Sequence, residues 1–381
     1  MINLQDKKDC CGCHACSNVC PKQCISMQAD EQGFLYPVVD RELCVDCGLC
    51  EKVCPIINQS ENKKPIKVFA AKNKNEEVRR KSSSGGVFTL LAEYVLNNGG
   101  VVFGAKFDDD WNVVHSWTDT KEGIAAFRGS KYVQSTIGST YREAKDFLTQ
   151  GRKVLFSGTP CQIAGLKKYL HKEYDNLLTI DIVCHGVPSP LVWSRYLKDL
   201  NTDNEIITNI NFRSKKRGWK NYSYLIQTPK VVLFDDYASK SVYLQGFSRN
   251  MILRPSCYDC PAKKGKSKSD ITLGDCWGIE KMATIEDDNL GISTILLNTD
   301  KGFSIYSELD INNIPLKYDS IIENNKSIVF SARKPYCRKL FWELFPNEGL
   351  NAVTIINEKI KTNIIFRVYN KIQTHIINKY K

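Results

Sequence analysis

From position 67 onward, apolar residues come in short runs separated by segments in which they recur every three or four positions, and the two rhythms alternate. Residues 68–72 and 101–107 carry compact β-type runs, and 85–96 between them puts Val87, Leu90, Leu91, Tyr94 and Val95 on one helical face. A helix at 141–150, a strand at 153–157, a helix at 161–170 and a strand at 178–183 continue the series. Alternation of this kind predicts an α/β domain with a sheet of parallel strands and helical crossovers. Residues 205–235 are richer in alternating β-type residues, so mixed or antiparallel strands are expected to join the sheet there. Near the end, Val353, Ile356, Ile360, Ile364, Val368, Ile372 and Ile376 fall at helical three- and four-residue steps, which predicts a helical tail over 350–381.

The opening 60 residues follow neither rhythm. Ten of the chain's 16 cysteines lie between Cys10 and Cys54, too dense for an ordinary hydrophobic core. Two runs repeat 34 residues apart, Cys10, Cys13, Cys16, Cys20-Pro21 and Cys44, Cys47, Cys50, Cys54-Pro55, each of the form C-x2-C-x2-C-x3-C-P. A cubane cluster needs four thiolates at its corners. Cysteines at every third position wrap three of them, while the fourth cysteine points away to the neighbouring cluster. The spacing therefore predicts one [4Fe-4S] cluster on Cys10, Cys13, Cys16 and Cys54 and a second on Cys44, Cys47, Cys50 and Cys20. A zinc ribbon would use two C-x2-C pairs rather than eight tandem cysteines with trailing prolines. Cys11 and Cys24 fall outside the pattern and read as buried spare thiols. Gly33-Phe34-Leu35-Tyr36-Pro37 reads as a short hairpin between the runs. The polar stretch 58–66 reads as a linker, so the expected organisation is a small two-cluster ferredoxin domain at 1–60, a larger mixed-sheet α/β domain at 67–345 and the tail at 350–381.

A length of 381 residues exceeds what one core usually covers, and 42% hydrophobic with 25% charged residues predicts a soluble, globular protein. The start, MINLQDKKDC, lacks the apolar stretch of a signal peptide, and no uncharged run reaches bilayer-spanning length, so a cytoplasmic location is expected. In that reducing setting, cysteines serve metal or redox chemistry rather than disulfides. Charge is divided by domain: the first 60 residues hold five Lys/Arg against eight Asp/Glu, a net of −3, and the rest hold 48 against 34, a net of +14. A basic body suits a phosphate-bearing cofactor, an acidic partner or a membrane surface. No nucleic-acid motif accompanies the charge, and no nucleic-acid partner is expected. Six Lys/Arg lie between Lys359 and Lys381. A basic amphipathic helix of this kind either makes a peripheral membrane contact or packs on its own domain or on a second copy in a homo-oligomer, and the pattern leaves both open.

Three features of the larger domain carry chemistry. Lys81-Ser82-Ser83-Ser84-Gly85-Gly86 precedes a helical face and offers N–H groups and small residues, a seat for phosphate; a serine cap with glycine flexibility accounts for the same residues. Cys161 and Cys184 follow predicted strands, where ligands gather in parallel α/β sheets, and Cys257-Tyr258-Asp259-Cys260-Pro261 adds a C-x2-C pair. Together these four thiols are ligands of another cluster, a zinc site or scattered buried cysteines, and spacing leaves all three open. His185 is either a proton donor or a structural histidine, and Cys276 and Cys337 read as buried thiols.

Taken in order, Ser83-Ser84-Gly85-Gly86, Gly129-Ser130-Lys131-Tyr132-Val133-Gln134-Ser135, Gly158-Thr159-Pro160-Cys161-Gln162, Cys184-His185-Gly186, Lys216-Arg217-Gly218-Trp219, Cys257-x2-Cys260-Pro261 and Gly274-Asp275-Cys276-Trp277-Gly278 resemble the coenzyme F420 hydrogenase/dehydrogenase beta-subunit family. That family also looks like the home of 7-hydroxymethyl chlorophyll a reductase. The resemblance implies that Ser84, Gly85 and Gly86, with Lys131, Tyr132 and Gln134, hold FAD, that Lys216, Gly218 and Trp219 lie along it, and that Cys161, Cys184, Cys257 and Cys260 bind a third [4Fe-4S] cluster. Position 276 departs from the family's usual aromatic, which leaves another ligand choice near Cys257 and Cys260 open. The implied activity is that of an iron–sulfur flavoprotein oxidoreductase exchanging hydride with coenzyme F420 or another reducible small molecule, in some bacterial relatives in the setting of surface-polysaccharide genes. A redox partner protein or soluble electron carrier is expected at the clusters. The competing expectation is a non-enzymatic electron relay whose partner does the chemistry.

Overall fold

The computed structural model describes residues 1–283, 287–362 and 368. Among them the strands are β1 (Ile25–Ala29), β2 (Leu35–Val39), β3 (Lys67–Asn73), β4 (Val101–Phe107), β5 (Val113–Thr118), β6 (Val154–Gly158), β7 (Leu177–Ile182), β8 (Asn209–Ser214), β9 (Ser223–Gln227), β10 (Val232–Tyr237), β11 (Ile271–Asp275), β12 (Ser293–Leu297) and β13 (Ile311–Pro315). Eight of them form one mixed sheet in the order β13-β3-β12-β11-β7-β6-β4-β5. β4, β6, β7 and β11 run parallel, while β12, β3 and β13 on one side and β5 on the other are antiparallel to their neighbours.

Side chains alternate across this sheet, as the two-residue period of a strand requires. Val101, Phe103, Val154, Phe156 and Leu177 pack against helices Thr140–Thr149 and Pro160–Leu170. Val102, Leu155, Leu178 and Ile180 meet helices Val87–Asn97 and Asp300–Ser307 on the opposite face. A three-layer body results. Every element expected between 68 and 183 lies within two residues of its anticipated ends.

Residues 205–235 differ from expectation in one respect. They form antiparallel strands, but β8, β9 and β10 make a separate three-stranded sheet instead of extending the main one. Ile210, Phe212, Tyr224 and Ile226 of this small sheet pack with Trp193, Tyr196 and Tyr243 in their own core. Strands with one apolar face are satisfied by a single covering layer, whereas the central sheet needs both faces apolar. Helix Asn351–Thr362 buries Ala352, Val353 and Ile356 in that same core, with Ile360 packed against it. Val368 is exposed, and Ile364, Ile372 and Ile376 lie outside the described residues.

In the N-terminal module, the β1–β2 hairpin accompanies two short helices, Ala15–Val19 and Leu49–Lys52, which repeat with the cysteine runs. Each is entered through a left-handed residue, His14 (φ 61°) or Gly48 (φ 71°). The module docks on helix Pro160–Leu170 at Gly165, where a Cβ would stand 2.9 Å from the Sγ of Cys13. The connecting stretch is held down as well: the Lys63 N–H donates to the Lys264 carbonyl at 2.9 Å, and that of Ile66 to Leu297 at 2.7 Å. Among the described residues, no helix is long and apolar enough to cross a membrane.

Candidate functional site

The carboxyl ends of β6, β7 and β11 open into a cleft of about 450 Å³, where a parallel α/β sheet leaves room for a ligand. Ser157 and Gly158 come from β6, Ile182 and the following Cys184 from β7, and Gly274 and Asp275 from β11. The opposite wall is built from the loop before helix Val87–Asn97, the segment 127–135, Tyr222 and Trp277.

Gly86, at φ 78°, turns the chain into helix Val87–Asn97 and gives the helix no side-chain cap, so its first N–H groups remain available. Hydrogen bonds pin this loop from three sides. Ser83 Oγ accepts from the Ser130 N–H at 2.7 Å, Ser84 Oγ donates to the Ile292 carbonyl at 2.8 Å, and Lys215 Nζ donates to the carbonyls of Arg79, Ser84 and Leu290 at 2.6, 2.7 and 2.5 Å. Burial, and then the neighbouring Arg213 and Arg79 cations, bring the Lys215 pKa down to about 7. Lys131 plays a similar part in its own turn, donating to the carbonyls of Ala126 and Arg128 at 2.8 and 3.1 Å, and burial brings its pKa to about 7.

An ion pair between buried Arg213 and half-buried Asp275 forms the polar wall together with stacked rings. Arg213 donates to both oxygens of Asp275 at 2.9 and 3.2 Å and to the Tyr132 hydroxyl at 3.2 Å. Its guanidinium lies 4.1 Å from the Tyr222 ring and 5.5 Å from that of Trp277. Trp219 stacks on Trp277 with centroids 4.6 Å apart and planes 4° from parallel, and donates from Nε1 to Asp275 at 2.9 Å. His115 donates from Nε2 to the Ser157 carbonyl at 3.0 Å, which leaves Nδ1 as a buried acceptor without a partner. Burial foremost holds its pKa at about 4, so the ring is neutral. His185 also lines the cleft, with Nε2 2.6 Å from Asn250 Oδ1.

Of the nine residues implied to hold FAD or to lie along it, Ser84, Gly86, Lys131 and Tyr132 line the cleft. The other five lie elsewhere. Gly85 sits against the sheet, where a Cβ would come 2.5 Å from the Ala71 carbonyl oxygen. Gln134 turns its amide to the Cys11 carbonyl and to Arg254. Lys216 pairs with Asp235 at 2.7 Å, Gly218 (φ 92°) passes against Asn289, and Trp219 lies behind Trp277. Arg213, Lys215 and His115 carried no signal in the sequence, since a lone basic residue or histidine in a strand looks the same whether it is structural or in a site.

The twelve singled-out cysteines fall into three neighbourhoods. Cys20, Cys44, Cys47 and Cys50 line one small hollow together with Cys24. Cys10, Cys13, Cys16 and Cys54 gather beside it; burial, and then Cys10 and Cys54, raise the Cys16 thiol, and Cys16 and Cys54 act on Cys13. In the body, burial, and then Cys184 and Cys260, raise the Cys257 thiol, with Cys161 also in range. Burial thus favours the neutral form of the Cys16 and Cys257 thiols, which release their protons to a metal that takes them. Backbone N–H groups point at three of the sulfurs: Ile2 at Cys50 (3.2 Å), Gly12 at Cys10 (3.4 Å) and Val187 at Cys257 (3.4 Å). The Cys11 thiol lies near enough to Cys13 and Cys161 for both to act on its ionisation, and so stands between two of the groups. Cys24 lies 3.4 Å from Cys20. Cys276 is buried with Ile279 and Ile292, and Cys337 with Phe341. Among the described residues, no three His, Cys, Asp or Glu side chains close on a single-ion position.

Comparison with known proteins follows the same division. Residues 68–141 match the N-terminal part, and residues 151–317 the C-terminal part, of the coenzyme F420 hydrogenase/dehydrogenase beta subunit, while residues 9–56 match a 4Fe-4S dicluster domain. The coenzyme F420-dependent sulfite reductase of Methanocaldococcus jannaschii is 27% identical over 324 residues, which are 81% of this chain and 47% of that protein. The chain thus spans about half the length of that curated relative. A chain of the F420-reducing [NiFe] hydrogenase complex from Methanosarcina barkeri aligns over 72% of this chain and 98% of its own length, at 18% identity and a TM-score of 0.45.

Proposed function

Because the chain belongs to the coenzyme F420 hydrogenase/dehydrogenase beta-subunit family, we propose that it is an iron–sulfur flavoprotein oxidoreductase, with FAD in the cleft, a [4Fe-4S] cluster on each of the three thiol groups, and coenzyme F420 or another small reducible compound as substrate. The observation that carries this is contiguity. Cys184 belongs both to the third thiol group and to the cleft wall, and Cys11 joins that group to the module's inner thiols.

The residues fit both kinds of group. Uncapped N–H groups behind Gly86 suit a pyrophosphate, and the Nδ1 of His115 is an unpartnered acceptor for an N–H or hydroxyl donor. FAD bound there would supply hydride exchange with an organic substrate together with single-electron exchange with the clusters. The chain's own work is to bind and orient. Lys215 and Ser83 hold the phosphate-side loop, Arg213 keeps a fixed positive charge among Tyr132, Tyr222 and Trp277, and Trp219, stacked on Trp277, fixes the Asp275 carboxylate through its indole N–H. Thiols and N–H···S contacts set cluster potentials through ligation and hydrogen bonding. At the outer group Cys47 is exposed, which suits electron exchange with a redox partner protein or soluble carrier.

Anaerobic purification followed by iron, sulfide and flavin analysis tests this: three cubanes of four irons give about twelve irons per chain with one FAD. Eight irons without flavin would reduce the protein to a ferredoxin-like relay. Turnover with reduced deazaflavin, NAD(P)H or a one-electron dye separates an enzyme from a relay subunit.

A further inference from the structure

Arg254 stands where the module meets the body, three residues before Cys257. Its side chain is completely buried. Nε donates to the Cys10 carbonyl at 2.8 Å, one terminal nitrogen to Gln134 Oε1 at 3.0 Å, and the other to the Leu35 carbonyl at 2.9 Å. The guanidinium also lies 4.3 Å from the Tyr36 ring and 5.5 Å from that of Phe34. All of these partners are neutral. Arg79 and Arg213, comparably buried, each hold a carboxylate, yet among the described residues no Asp or Glu pairs with Arg254. The acidic groups acting on it most strongly are Cys10, Tyr36, Cys11 and Cys257, and its own charge reaches Cys161.

Two more buried cations border the same region without a carboxylate partner among the described residues. Lys263 donates to the carbonyls of Cys184 and Ser327. Arg338 donates to the Tyr258 hydroxyl and to Gln32 Oε1. Burying a charge with no counter-charge is strongly unfavourable, so a fixed guanidinium held by neutral acceptors implies an anion that the protein takes up.

We propose that Arg254 is the buried counter-charge of the two clusters on either side of it, that on Cys10, Cys13, Cys16 and Cys54 and that on Cys161, Cys184, Cys257 and Cys260, and that it raises the reduction potential of both. The inference rests on the cluster assignment above. A cubane with its four thiolates carries a double negative charge and takes up one electron, from dithionite in the experiment below, to carry a triple one. No bond forms or breaks, and the guanidinium keeps its proton. A fixed positive charge therefore stabilises the reduced form more than the oxidised form. Arg254 is a positioning residue: it touches neither substrate nor flavin.

The test is an EPR-monitored redox titration of the anaerobic holoprotein with dithionite, with Arg254→Gln and Arg254→Lys beside the wild type. Arg254→Gln should lower the equilibrium constant for reducing the two inner clusters at least tenfold, a fall of about 59 mV for a one-electron couple. The outer cluster on Cys20, Cys44, Cys47 and Cys50 should move less, and Arg254→Lys should return the inner potentials toward wild type. A fully loaded Arg254→Gln protein with unchanged potentials would overturn the role. Should Arg254→Gln lose its clusters, Arg254→Lys decides: retained clusters at near wild-type potentials support the charge, and cluster loss there too shows that guanidinium geometry, not charge, was needed, which overturns it. Wild-type protein lacking iron at the Cys161 group would instead sink the cluster assignment on which the inference stands.

Discussion

The outer thiol group draws Cys20, Cys44, Cys47 and Cys50 from one short stretch of the chain, whereas the cleft draws its walls from positions as far apart as Ser82 and Ser327. In the module, spacing and two left-handed entries, His14 and Gly48, place the thiols with little help from elsewhere. The cleft depends on pins made between distant segments: Lys215 to the 84 and 290 carbonyls, Ser83 to Ser130, and Arg213 to Asp275. Damage should therefore travel differently in the two regions, all-or-none per cluster in the module and graded in the cleft.

The largest expected effect is at the junction of the two. Cys184→Ser should abolish substrate turnover and remove about a third of the iron while leaving both module clusters in place, as counted by iron analysis and EPR. Simultaneous loss of the module's clusters would break the contrast. Next comes Arg213→Met, which leaves the half-buried Asp275 its Trp219 N–H but takes away its cation. Removing one member of a fully buried pair costs about 3–5 kcal/mol; with Asp275 half-buried, anaerobic urea unfolding should shift by less than that, and flavin content should fall with module iron unchanged.

A pH effect of intermediate size comes from Asp181 at the end of β7. It is 3% exposed and accepts from Ser267 Oγ at 2.5 Å, and burial foremost lifts its pKa to about 6. The folded value exceeds the unfolded one of about 3.9, so folding takes up a proton between them. Its contribution to stability is full below the unfolded value and is lost as pH rises through about 6. Asp181→Asn should gain on the wild type as pH climbs from 5 to 7, by on the order of 1 kcal/mol over that range. Melting temperatures under argon that keep a constant difference across this range would contradict the assignment. The smallest effect is Ser83→Ala, which removes an acceptor for the Ser130 N–H: about 1 kcal/mol, with severalfold weaker FAD retention on dialysis and no change in iron.

The same contrast governs what the sequence discloses. Eight cysteines in two phased runs announce their chemistry because ligand spacing is local. The strands and helices from 68 to 183 are legible because apolar runs and helical faces are bounded by Gly, Pro and Ser. β5, β11 and β13 are harder to see: Val113–Thr118 carries His115 and Ser116 within a short run, Ile271–Asp275 runs into a glycine-rich motif, and Ile311–Pro315 has two Asn and a Pro that read as a turn. β12, an unbroken buried run over Ser293–Leu297, has no period to tell strand from helix. Arg213, Lys215 and Arg254 resemble surface cations until tertiary structure buries them. Trp219 and Gln134 illustrate the reverse, motif residues whose side chains face other protein groups and support the cleft from outside.

Most direct for the central claim is EPR of the anaerobically reduced protein with spin integration, in the wild type and in Cys161→Ser. Three neighbouring cubanes predict about three spins per chain and a spectrum broadened by spin–spin coupling, with Cys161→Ser losing one spin and the coupling that spin contributes. Two spins in the wild type, with a spectrum that Cys161→Ser leaves unchanged, would contradict a continuous path from the module to the cleft.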